Sequence, residues 1–68
     1  MSYKQFKEKV RKAYPDHEIA FAFVGGVMEA AITIGDSNFL FQCLAHTDTI
    51  RGFWNGNPMG EVLMLEKA

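Results

Sequence analysis

The hydrophobic period of this chain changes once, from helical spacing ahead of Pro15 to an alternation of two from Ile19 onward. A chain patterned in this way buries its apolar residues by laying one helix against a sheet. Ahead of the change, Ser2-Tyr-Lys-Gln5 has the spacing of a capping box: the Ser2 hydroxyl takes a free backbone N–H, and the Gln5 side chain reaches back. Tyr3, Phe6, Val10, Ala13 and Tyr14 then fall on one helical stripe, with Lys4, Glu8, Arg11 and Lys12 on the other side. Pro15 ends the helix, because the residue before a proline disfavours helical dihedrals.

Beyond the change, Ile19, Phe21 and Phe23 alternate with Ala20, Ala22 and Val24, and Gly25-Gly26 follows at once. Two glycines suit a two-residue hairpin turn, which predicts a return strand over Val27 to Ile34 with Val24 facing Val27 and Phe23 facing Met28. In that register one face collects Ile19, Phe21, Phe23, Met28, Ala30, Ile32 and Ile34, and this is the expected core face. The other collects Ala20, Ala22, Val24, Val27, Glu29, Ala31 and Thr33, a set that is small and apolar for a surface meeting water. A slip of one residue would exchange the two faces.

Gly35-Asp36-Ser37-Asn38 predicts a second turn, and Phe39 to Ala45 a third strand. Phe39, Phe41 and Cys43 extend the core face, while Leu40 and Leu44 join the second face. His46-Thr47-Asp48 breaks the pattern. Thr49 to Trp54 is read as a fourth strand, with a short helix or an ordered loop as alternatives. Asn55 to Gly60 is dense in turn formers, and Glu61 to Glu66 reads as a last strand. The expected fold class is α+β: an N-terminal amphipathic helix on one face of an antiparallel β-meander of four or five strands, residues 1–68 forming a single domain.

Composition sets how such a domain holds together. A chain of 68 residues buries only about 60% of the surface it exposes when unfolded, so the core is small. Nine aromatic residues supply much of its area, and the one cysteine excludes an internal disulfide framework. Association with a second copy is then an expected source of stability. The start of the chain carries charge where a secretory leader would be apolar, and its longest apolar runs are far short of a membrane span, so a cytoplasmic, membrane-free protein is expected. Charge is uneven. Residues 1–12 hold five cations against Glu8 alone, a balance of +4, and the remainder holds two cations against seven carboxylates, a balance of −5. A basic binding surface on the helix, or a basic helix lying on an acidic sheet, accounts for this equally.

Few residues suggest chemistry. Cys43 and His46 form a Cys-x-x-His pair, and His17 would make a third ligand for zinc, but positions 43 and 46 of one strand point to opposite faces. They are read as a buried thiol and a loop histidine, and no metal or cofactor is expected. Cys43 with His46 and Asp48 could be assembled into a nucleophilic triad only by assuming the structure, so no catalytic residue is assigned. Gly25-Gly26 and the glycines of 52–60 lack the lysine and hydroxyl of a phosphate loop.

Three functional readings follow, in order. The first is a non-enzymatic protein–protein interaction module. It associates with itself through the small-residue face of the sheet (Ala20, Ala22, Val24, Val27, Ala31, Leu40, Leu44) or through a sheet edge, and it binds an unidentified protein. Phe53, Trp54, Asn55, Asn57 and Met59 are candidates for partner or ligand recognition, with Trp54 folded into the core as the alternative. The second reading is a small-molecule binder whose aromatic pocket is lined by Tyr14, Phe53 and Trp54. The third is weak nucleic-acid binding, with Lys4, Lys7, Arg11 and Lys12 on the phosphates.

Overall fold

In the computed structural model, which describes residues 1–61 and the last three of these by their backbone, the first element is the helix α1 (Tyr3–Ala13). Its capping box is formed as the spacing predicts: the Gln5 amide donates to Ser2 Oγ at 3.1 Å, and the Ser2 amide donates to Gln5 Oε1 at 2.9 Å. The helix closes with the Tyr14 amide donating to the Val10 carbonyl, one residue before Pro15. Phe6 and Val10, one turn apart, are its buried residues.

Five strands follow: β1 (Ile19–Val24), β2 (Val27–Ile34), β3 (Ser37–Leu44), β4 (Arg51–Trp54) and β5 (Asn57–Glu61). They form one antiparallel sheet in the order β1-β2-β3-β4-β5, a simple meander. The fold is therefore α+β, one helix on a five-stranded sheet. The first hairpin has the expected register, Val24 opposite Val27 and Phe23 opposite Met28. Gly25 and Gly26 have φ of 59° and 78°, the left-handed dihedrals of a type I′ turn, whose twist matches that of the strands it joins. A Cβ added at Gly26 would meet no atom within 4 Å, so the penalty there is conformational rather than steric. Gly26→Val is expected to cost about 1–2 kcal/mol, read as a lower urea midpoint with an unchanged slope.

The later strands depart from the expected boundaries. Ser37 and Asn38 belong to β3 rather than to the turn before it, because Gly35-Asp36 closes that hairpin in two residues, with Ile34 opposite Ser37. Ala45 lies just past β3, its amide donating to the Gly26 carbonyl. β4 begins at Arg51, not at Thr49. The last strand begins at Asn57 rather than Glu61, because Asn55-Gly56 makes a third two-residue turn, with φ of 49° and 84°. The expected strand residues 62–66 lie outside the described residues. A register shift between Gly52 and Phe53 sets Pro58 opposite Phe53 and Gly60 opposite Gly52. The strand bearing Pro58 pairs only with β4 among the described residues, where a missing backbone donor is tolerated.

α1 packs across β1 and β2. Among the described residues the buried hydrophobic side chains are Phe6, Val10, Met28, Ala30, Ile32, Phe41, Cys43 and Ile50, and no polar side chain is buried. Ring contacts tie the layers together: Phe6 meets Phe21 edge-on at 6.4 Å, Tyr14 stacks on Phe41 at 5.7 Å, and Tyr3 lies 5.2 Å from Phe23. No helix among the described residues is long and apolar enough to cross a membrane.

Candidate functional site

Strand residues that pair across a sheet share a face, so the register sorts the face turned away from α1 into rows. One row is apolar: Val24, Val27 and Leu44. The next is polar: Ala22, Glu29, Gln42, Arg51 and, by its register opposite Arg51, Glu61. A second apolar row runs Ala20, Ala31, Leu40 and Phe53, with Pro58 opposite Phe53. A last polar row joins Thr33 and Asn38, where Thr33 Oγ1 donates to Asn38 Oδ1 at 3.1 Å. Asn38 is held in turn by Asn55: the Asn38 amide donates to Asn55 Oδ1, and the Asn55 amide to the Asn38 carbonyl, both at 2.8 Å.

Among the described residues this face has no second layer over it. Val24 is 72% exposed and Leu44 47%. Ala20, Ala22 and Ala31 are exposed, while Val27, Leu40 and Phe53 are half-buried by their neighbours. A groove of about 900 Å³ runs over the second apolar row, lined by Ala20, Ala31, Thr33, Leu40 and Phe53. A smaller one of about 560 Å³ crosses the first two rows between Val27, Glu29, Gln42, Leu44 and Arg51. All seven residues of the expected association face share this one surface. The sequence reading did not place Gln42, Arg51 and Phe53 there. Alternation from Leu40 carries Gln42, whereas Arg51 and Phe53 depend on where β4 begins.

The other candidates are scattered. Phe53 and Trp54 are consecutive in β4 and so point to opposite faces, Trp54 joining Phe39 on the helix side. Tyr14 stacks on Phe41 and lines a different hollow with Pro15 and His17, so the three aromatics of the expected pocket do not converge. Trp54 is 46% exposed, neither enclosed in the core nor free of it. Asn55 lies in the last turn and Asn57 begins β5, both exposed, and Met59 lies in β5.

On α1, at about 100° per residue, Lys4, Lys7 and Arg11 fall within one narrow stripe, and Lys12 lies round the helix beyond Glu8. Lys7 sits over the Tyr3 ring at 4.5 Å and Arg11 over the Phe21 ring at 5.0 Å, so two of the four cations lean on aromatic faces beside β1.

Cys43 is buried on the core face, with its sulfur 3.4 Å from the Leu44 carbonyl and 3.6 Å from that of Thr47. His46 is exposed in the turn beyond β3, and His17 packs edge-on against Tyr14. No group of three or more His, Cys, Asp or Glu among the described residues is placed to hold a metal ion. Asp48 turns to the Met1 amino group at 2.9 Å. That hydrogen bond and the charge behind it, with a smaller contribution from Lys9, hold the Asp48 carboxyl below its usual range. Burial pushes the Tyr14 phenol up. No family model, curated protein or solved structure matches this chain.

Proposed function

We propose that this chain is a non-enzymatic interaction module that associates with a second copy of itself through the open face of its sheet. The observation that carries the reading is the concentration of apolar residues on that face: two apolar rows with no layer over them among the described residues. Exposed apolar area of this kind is characteristic of association surfaces, and small side chains such as Ala20, Ala22 and Ala31 let a second sheet approach closely. Binding of a different protein would fall to the outer edge of β1, which pairs only with β2 among the described residues. We also propose a cytoplasmic location, which a buried free thiol at Cys43 accommodates.

Sedimentation equilibrium and native mass spectrometry test the reading. The protein is expected to be dimeric at micromolar concentration, and Ala31→Arg to be a folded monomer, since it sets a charge at the centre of the face without touching the core. A wild-type protein that stays monomeric at several hundred micromolar (on the order of a weak encounter) overturns it.

The groove over Ala20, Ala31, Leu40 and Phe53 favours a second reading, a small apolar ligand held on the same face, because its volume of about 900 Å³ falls in the range of ligand sites. A stoichiometric extra mass in the native spectrum, lost on denaturation, would select that reading over the first.

A further inference from the structure

We infer that the open face is self-complementary about a twofold axis running along β3, so that two copies stack face to face with Glu29 of each meeting Arg51 of the other. The inference rests on the self-association proposed above and specifies its geometry.

The register dictates what such an axis brings together. Rotation about β3 leaves every row opposite the same row of the second copy and exchanges β2 with β4. In the polar row Glu29, Gln42 and Arg51 are neighbours on β2, β3 and β4, so Glu29 lands on Arg51, Gln42 on Gln42 and Arg51 on Glu29, while the position of Glu61 on β5 lands over Ala22 on β1. In the second apolar row Ala31 lands on Phe53, Leu40 on Leu40 and Phe53 on Ala31. Opposite charges meet, and the largest side chain of the face meets one of the smallest. At a sheet separation of about 10 Å, a glutamate and an arginine reaching toward each other span the gap.

Other face-to-face axes do not achieve this. An axis lying along the polar row sets each strand on its own copy, placing Glu29 on Glu29 and Arg51 on Arg51, and like charges so placed oppose association. An axis between the polar and apolar rows buries Glu29 over Ala31 and Arg51 over Phe53, leaving both charges without partners. The five strands hold 31 residues, each about 3.3 Å by 4.8 Å, which gives on the order of 500 Å² in projection and more as accessible surface, against the roughly 800 Å² per partner of a standard interface.

Exchange of the charges tests the geometry. Glu29→Arg sets cations at both 29 and 51, and Arg51→Glu sets anions at both. Each is expected to weaken its own dimer about tenfold or more. An equimolar mixture of the two is expected to form a heterodimer, resolved from either homodimer by mass, and the double variant E29R/R51E is expected to dimerise like wild type. Should either single variant fail to fold, Gln42→Cys supplies the second measurement. It lies on the axis and should be linked to its own copy by a short bismaleimide, whereas Ala20→Cys, on outer strand β1, should not. A monomeric wild type overturns the association itself. A dimeric wild type whose charge variants do not prefer each other, or whose position 20 links as readily as position 42, overturns the axis and leaves the association standing.

Discussion

Phe6→Ala is expected to remove about 3–5 kcal/mol from folding, enough to leave much of the protein unfolded at room temperature. The ring is fully buried, lies at the centre of the helix face and meets Phe21 edge-on, so truncation opens a cavity between the two layers of the fold. A domain of this length has a total stability of about 3–10 kcal/mol, which makes one such cavity a large fraction of the whole. Loss of most of the helical circular dichroism, or a melting temperature lowered by more than about 12 °C where folding persists, is the expected reading. A drop of only a few degrees would mean that α1 contributes little to holding the sheet.

Ile50→Ala is expected to cost about 2–5 kcal/mol, although Ile50 belongs to no strand. It sits between the turn after β3 and the start of β4, and it is 3% exposed within the same cluster as Phe6, Met28 and Phe41. It is thus the residue of that connection which enters the core, while Thr49 and Arg51 beside it are exposed. Urea denaturation followed by Trp54 fluorescence reads the change. A loss under about 0.5 kcal/mol, the usual effect of a surface substitution, would mean that the connection is not anchored by this side chain.

These two residues mark how far the sequence could be read. Phe6 belongs to a helical stripe bounded by a capping box and a proline, all between Ser2 and Pro15, and local signals of that kind do not depend on the rest of the fold. The pairing of β1 with β2 was legible for a similar reason: a two-residue glycine turn sets the register of both strands it joins. The third such turn, Asn55-Gly56, lies within a run of other turn formers, Asn57, Pro58 and Gly60, and that run conceals where pairing resumes. Ile50 carries no periodic signal, because its segment is irregular and it is the one fully buried residue there.

The association face divides along the same line. Its alanines, valines and leucines follow from alternation about Gly25-Gly26, and Gln42 follows from alternation along β3. Arg51 and Phe53 come to that face only through the pairing of β4 with β3, across a connection whose length and path are determined by Ile50 entering the core.

By itself, then, the sequence determined the α+β class, the helix and its ends, the first hairpin with its register, and the apolar character of one sheet face. Each of these is written in short-range periodicity or in turn dihedrals. The tertiary structure alone decided that the sheet has a fifth strand from Asn57, that Ile50 closes the core, that Phe53 and Trp54 face apart, and that Glu29, Gln42 and Arg51 stand in one row. Those features depend on which strand lies beside which, and strand pairing between distant segments is selected by the packing of the whole sheet rather than by any residue's neighbours in the chain.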